Sequence, residues 1–243
     1  MNDFRLPVLL FDIDGTLLRG PNQLHFQAFE HALAALFGLE ADRATMQVAG
    51  MLDRHIVMEI LALNGRKVPV EDPVLDDACR EVEDYYLSRS GSLDLSDRVL
   101  PGAPRVLARL KEMGFLAGLL TGNLERVAWE KMRISGLLPH LSPFGGFGCS
   151  PVASRGRLVD LALKRAGKLA GRAISPRDTV LVGDTPRDIR AARDAGASVV
   201  SICGGSYGKE ELAAHGPDLL IESYAEEDRL FQFLAGWPQD DAR

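Results

Sequence analysis

The residues best suited to chemistry in this sequence stand where apolar runs stop. Asp12 and Asp14 follow the run Val8 to Phe11, and Gly15 then releases the chain into a turn. Thr121, Gly122 and Asn123 close the run Phe115 to Leu120, while Asp184, with Asp188 shortly beyond, closes Thr179 to Val182. Ligands of open parallel sheets bind beyond the carboxyl ends of the strands. If these runs are neighbouring strands, the carboxylates and the hydroxyl converge on one crevice. Carboxylates gathered that closely repel one another unless a cation sits among them. Oxygen-only ligands favour a hard ion such as Mg2+, which keeps places for water and for phosphate oxygens. Taken singly, each piece has a plainer reading as a turn or a helix cap. It is their recurrence at strand ends that points to a site.

The elements that must position them alternate over most of the chain. Val8 to Phe11 has the unbroken apolar texture of a strand buried on both faces. A helical stretch follows, about residues 23–90. Phe26, Phe29, Leu33, Leu36 and Phe37 share one side of a first helix closed by Gly38. Ile56, Ile60 and Leu63 mark a second, ending at Asn64-Gly65, and Cys79, Val82 and Tyr86 a third over 74–87. Residues 90–104, rich in small and turn-forming types, read as a connector. Beyond it, helices predicted at 103–113, 124–135, 157–170, 187–195 and 225–235 alternate with strands at 115–120, 179–182, 198–202 and 219–221. The segment FGGFG at 144–148 stays unassigned. This alternation implies an α/β fold with a doubly wound parallel sheet. The expected organisation is a core of residues 1–18 and 98–243 interrupted by a helical domain over 19–97.

Composition narrows the partners. The 243 residues carry 28 basic and 34 acidic side chains, a formal charge of −6, without the basic bias of a nucleic-acid binder. At 46% apolar and 26% charged, the chain is of ordinary globular type. The opening apolar run is too brief for a membrane span or a signal segment. Cys79, Cys149 and Cys203 are widely spaced and include no CxxC, which suggests neither a disulfide framework nor a zinc site. The expectation is a cytoplasmic protein with no nucleic-acid or membrane partner.

FDIDGTLL, LLTGN and VGDTPRDI, in that order, resemble the first, second and fourth motifs of the haloacid dehalogenase superfamily. The likeness covers most of the chain. The helical insert looks like that family's α-helical cap, and the pattern is nearest to the phosphoglycolate phosphatase and β-phosphoglucomutase branch. The resemblance implies Asp12 as nucleophile and Asp14 as general acid/base. It makes Thr121, the Gly122 amide and Asn123 the phosphate cradle. It assigns Mg2+ to Asp12, the backbone carbonyl of Asp14 and Asp184, with Asp188 supporting the metal shell. An Asp carboxylate is a competent phosphoryl acceptor, and water then cleaves the aspartyl-phosphate. The third motif departs from the commoner Lys-Pro: the stretch reads ASRGRLVDLALKRAG. It resembles a subgroup using Arg followed three residues later by Leu, which selects Arg155 ahead of Arg157. Lys164 and Lys168 fall inside the following helix as solvated residues.

Substrate choice would fall to the cap. Gly50-Met51-Leu52-Asp53 stands where relatives often carry Gly-x-Thr-Asp, so Asp53, Arg54 and His55 are the candidate specificity residues. Arg54 or His55 would read an anionic group, against the plainer role of a surface salt bridge or helix cap. His25 and His31 read as ordinary helix residues, and the PNQLHF stretch at 21–26 as a candidate lining of the cleft mouth. The sequence leads to a Mg2+-dependent phosphatase for a small phosphorylated metabolite, phosphoglycolate-like ones included, acting as a monomer or homodimer. A phosphomutase of the β-phosphoglucomutase type would share the two aspartates. A catalytically idle binding protein on the same fold is opposed by the intact motif residues, and a dehalogenase by the presence of Asp14.

Overall fold

A computed structural model describes residues 6–20, 22–40 and 49–237. Val8–Phe11 forms strand β1, buried on both faces as its apolar run requires. The chain then leaves the sheet for α1 (Gln23–Phe37), α2 (Asp53–Leu63) and α3 (Pro73–Ser90). Asn22 starts α1 by accepting the His25 amide, and Gly38 ends it in the left-handed conformation. Asp72 accepts from the Val74 amide at the start of α3, with Pro73 in the first turn.

Helix α4 (Ala103–Glu112) brings the chain back to β2 (Leu116–Thr121), and α5 (Glu125–Ile134) leads to β3 (Gly145–Phe147). Then come α6 (Arg155–Ala170), β4 (Thr179–Gly183), α7 (Pro186–Ala195) and β5 (Ser198–Ile202). The last elements are α8 (Lys209–Ala214), β6 (Leu219–Ile221) and α9 (Glu227–Ala235). The strands pair in parallel in the order β3-β2-β1-β4-β5-β6, the α/β sheet that the alternation predicts. Two elements escape the sequence pattern. FGGFG contains the edge strand β3, whose glycines carry no strand propensity and whose pairing with β2 is set by the tertiary fold. The six-residue α8 is too short to show a helical period.

Register brings the strand ends together. Phe11 pairs with Leu119 on one side and Val182 on the other, so the residues after β1 emerge between the ends of β2 and β4. Strand β1 also divides the core. Leu9 and Phe11 pack with Val106 and Leu110 of α4, Ala128 and Met132 of α5, and Leu230 of α9. Val8 and Leu10 face the other way, onto Leu158 and Ala162 of α6 and Ile189 of α7. The insert has its own apolar cluster, with Phe29, Leu33, Val57, Leu61, Val82 and Tyr86, which extends onto Leu124 and Val127 at the start of α5. Among the described residues, no helix is long and apolar enough to cross a membrane.

The last segment of the chain also reaches the first turn after β1. Tyr224 is buried, and its hydroxyl donates to the Thr16 carbonyl at 3.0 Å. Tyr224→Phe leaves that buried carbonyl without the bond and is expected to lower the unfolding free energy by about 1–3 kcal/mol in urea titrations. A midpoint equal to the parent's would show that the tie contributes nothing.

Candidate active site

Asp12 is the first residue past β1 and is only 5% exposed. Its carboxylate meets Arg155, from the first turn of α6: Nη2 lies 3.1 Å from Asp12 Oδ2 and 2.7 Å from Asp188 Oδ1. The same nitrogen donates to the Leu120 carbonyl at 3.0 Å, which fixes the guanidinium to the end of β2. Asp188 is held from behind by a capping box. The Thr185 amide and hydroxyl donate to its Oδ2 at 3.0 and 2.7 Å. Asp184, at the end of β4, accepts the Thr16 hydroxyl at 2.9 Å.

Asp12, Asp184 and Asp188 offer oxygen atoms that all lie within 4.8 Å of one another. Burial pushes the Asp12 carboxyl up to about 6; Arg155 opposes the rise and the Asp188 charge adds to it. Burial, then Asp12 and Asp188, push Asp184 up to about 8. Three buried carboxylates therefore share one guanidinium, and Asp184 has only a neutral hydroxyl for support. Such a set is short of positive charge and suits a hard, oxygen-binding cation. Gly15 is part of the same fit: its φ is +93°, and a Cβ there would come 2.1 Å from Asp184 Oδ2.

Asp14 has a different partner, one that the sequence reading missed. Lys131 of α5 is wholly buried, and its Nζ lies 2.7 Å from Asp14 Oδ2, 2.6 Å from Asn123 Oδ1 and 3.4 Å from His25 Nδ1. An ammonium has three protons, and three acceptors surround this one. With Nδ1 accepting, the His25 proton resides on Nε2, which donates to Asp53 Oδ2 at 3.0 Å. Burial works to raise the Asp14 carboxyl, but the Lys131 charge, with hydrogen bonds from Lys131 and Asn123, outweighs it and holds the carboxyl below its ordinary value. Asp14 Oδ1 is buried and has no hydrogen-bond partner. The signal for Lys131 was its place on the apolar side of α5, one turn from Val127 and next to Met132.

The structure brings some predicted residues together and turns others away. Asp12, Asp14, Gly122, Asn123, Asp53, Arg155 and Asp184 line one cavity of about 170 Å3 between the insert and the sheet. Thr121 is fully buried, and its hydroxyl oxygen accepts from the Asn123 amide and side chain at 3.3 and 2.8 Å. The resemblance assigns Asn123 to phosphate, but its side-chain protons go to Asp14 and Thr121, so it orients those two groups. Arg157 is exposed and pairs with Asp160 one turn on. Lys164 and Lys168 are solvated, as expected.

The candidate specificity residues of the insert need correction. Arg54 is not a surface residue, and it is not among the residues that line the cavity. It is 1% exposed and turned toward the Val70 carbonyl at 2.6 Å and Asp76 at 2.5 Å, because the loop before α3 and the first turn of α3 supply acceptors there. His55 also points elsewhere, its Nε2 lying 2.8 Å from the Val152 carbonyl. His25 is no ordinary helix residue, whereas His31 is: it lies half exposed against Glu81 and stacks on Tyr85. Within PNQLHF, His25 and Phe26 line the cavity, and Pro21 lies outside the described residues.

The insert reaches the site through main chain. The Asp53 amide donates to the Gly122 carbonyl at 2.8 Å and the Arg54 amide to the Gly148 carbonyl at 3.1 Å. A Cβ on Gly122 would lie 1.9 Å from the Met51 carbonyl oxygen, so only glycine admits the loop this close.

Strand-end aspartates on a parallel sheet, with a cation on the first of them, are the arrangement the motifs imply, and a family model decides the matter. The model for haloacid dehalogenase-like hydrolases matches residues 6–196. The chain belongs to that family. This haloacid dehalogenase-like hydrolase is 27% identical to "Probable phosphatase IndB" of Dickeya dadantii, over 90% of this chain and 91% of the other. It is 26% identical to a phosphoglycolate phosphatase of Mesorhizobium japonicum, over 81% and 82%. Its fold matches that of β-phosphoglucomutase from Clostridium difficile with a TM-score of 0.71 at 17% identity, over 95% and 97% of the two chains. These likenesses fall in the branch that the motifs resemble.

The Lys131–Asp14 pair has a testable cost. Lys131→Met leaves a buried carboxylate without its cation and is expected to lower stability by about 3–5 kcal/mol in urea unfolding. Adding Asp14→Asn removes the orphaned charge and should recover part of that loss. If the double variant is less stable than the single by the full effect of Asp14→Asn in the parent, the two residues are not coupled.

Proposed function

We propose that this hydrolase is a Mg2+-dependent phosphatase of small phosphorylated metabolites that works through an aspartyl-phosphate on Asp12. The observation that carries the reading is the Asp12 carboxylate itself. It is buried at the end of the central strand, gripped by Arg155, and opens on the cavity with Asp14 two residues on. Asp12, Asp184 and the Asp14 carbonyl would hold Mg2+, with Asp188 behind them; the all-oxygen donor set and the excess of negative charge support that assignment. Bound there, Mg2+ would neutralise charge on the phosphoryl oxygens.

The steps follow from the side chains. An Asp12 oxygen attacks phosphorus in line with the ester oxygen; that P–O bond breaks, and the leaving alkoxide takes a proton from Asp14. Water then attacks the same phosphorus while giving a proton to Asp14, and the bond to Asp12 breaks to release inorganic phosphate. Arg155 occupies one Asp12 oxygen, so the other is the nucleophile. Lys131 and Asn123 occupy Asp14 Oδ2 and leave Oδ1 to carry the proton. Lys131 keeps Asp14 ionised at rest, and an arriving phosphate dianion raises its proton affinity, so the proton is taken up with substrate. The Thr121 hydroxyl and the Gly122 amide stabilise the transferring group. Residues 19–97 act as a cap on the core of 1–18 and 98–243, limiting bulk water at the phosphorus.

Two measurements test this. Asp12→Asn should lower kcat with Mg2+ by roughly a thousandfold or more while leaving the circular dichroism spectrum unchanged; undiminished turnover overturns the mechanism. Turnover that yields an isomeric sugar phosphate instead of free phosphate would mark a mutase. Mg2+ at a hundredfold over its Kd should contribute about 2.7 kcal/mol, raising Tm by roughly 5–10 °C for a chain of this size. Asp184→Asn should melt above the parent without Mg2+, since a buried like charge is gone, and gain less from the ion. Equal Mg2+ shifts in the two proteins would remove Asp184 from the metal site.

A further inference from the structure

The cavity has two unlike ends. Toward the sheet it presents the carboxylates and Arg155; toward the insert it presents Phe26, Phe29, Met51, Ile56 and Ile60. The polar groups of the insert that reach it are mostly engaged with protein. His25 and Asp53 are bonded to each other, and Asp53 also accepts the Leu124 amide at 3.0 Å. Among the described lining residues, Arg155 is the one Lys or Arg, and two acidic groups hold it. Among the described lining residues, the insert's other charged one is Glu30, an anion already engaged within the protein.

Each alternative leaving group meets a physical objection here. A polyhydroxylated sugar would lose its water to aromatic and aliphatic walls that return no hydrogen bonds. A second phosphate or a carboxylate would be buried beside Asp53, and among the described lining residues the one Lys or Arg, Arg155, is already held by two carboxylates. An apolar group gains from the same walls. In scale, an engineered apolar cavity of about 150 Å3 admits benzene, and here about 170 Å3 must hold the phosphoryl group as well. The hydrocarbon part can therefore be no larger than one ring or a short branched chain.

Resting on the phosphatase reading above, we propose that the substrates are phosphate monoesters of a small apolar alcohol, with a single ring or a short branched chain, whose hydrocarbon part is seated on Phe26, Phe29, Ile56 and Ile60. The specificity residues are then hydrophobic ones of α1 and α2. Arg54 and His55 have no part in it.

The test compares kcat/KM, with Mg2+, for esters of primary alcohols, so that the hydrocarbon part rather than the leaving-group chemistry is the main variable. Benzyl and isopentyl phosphate should exceed ethyl phosphate, by about fourfold for each methylene buried, and should exceed glucose 6-phosphate and phosphoglycolate by tenfold or more. Phe26→Ala and Ile56→Ala, both at half-buried positions, should each reduce the benzyl-to-ethyl ratio at least threefold, mainly through KM. Glucose 6-phosphate or phosphoglycolate matching benzyl phosphate would overturn the proposal, as would an unchanged ratio in both variants. If no monoester is turned over, the phosphatase reading fails separately. Calorimetry then decides the pocket: benzylphosphonate binding at least tenfold more tightly than phosphonoacetate supports it, and equal or reversed affinities overturn it.

Discussion

Buried carboxylates at the ends of parallel strands set the terms for the rest of this fold. Each needs a positive or hydrogen-donating partner, because an uncompensated charge removed from water costs several kcal/mol. The sheet alone offers no such partners, so they come from the helices that cover it. Arg155 begins α6 on one face and reaches Asp12; Lys131 rises from α5 on the other face and reaches Asp14. Two neighbouring aspartates are thus addressed by two cations from opposite sides of the sheet. Asp12 stays paired yet open to the cavity, and Asp14 keeps one oxygen unoccupied.

The insert is drawn into the same electrostatic arrangement. His25 of α1 accepts from Lys131 and donates to Asp53 of α2, so a chain of hydrogen bonds runs from Asp14 through the core cation into both insert helices. Asp53 in turn accepts the amide that opens α5, the helix that carries Lys131. The apolar cluster of the insert continues onto Leu124 and Val127 of that helix. Position of the insert and orientation of Asp14 are consequently settled by one helix.

Much of this was legible in the residues themselves. The continuous run Val8 to Phe11 and the strand–helix alternation give the parallel sheet, since period and length separate buried strands from helices. The aspartates were visible because each terminates an apolar run. What stayed hidden depended on neighbours distant in sequence. β3 is a strand by pairing, not by composition, and Lys131 is 117 residues from the carboxylate it serves. Arg54 misled for the same reason: an arginine at a helix start looks like a surface cation, and only the packed loop before α3 reveals its buried acceptors. Asn123 sits in the expected loop, but which bonds its amide makes depends on Lys131, which the motif does not contain.

The amide bonds from Asp53 and Arg54 to the carbonyls of Gly122 and Gly148 involve no side-chain atoms. These two ties need glycine at 122 and 148, where a Cβ would strike backbone, but set no requirement on the insert's side chains, whereas the cavity face of α1 and α2 carries Phe26, Ile56 and Ile60. These tethers and the apolar wall thereby belong to different residues, while His25 and Asp53 serve the docking from within the cavity lining. A lineage can rewrite Phe26, Ile56 or Ile60 one at a time, reshaping the cavity, without these tethers having to be rebuilt.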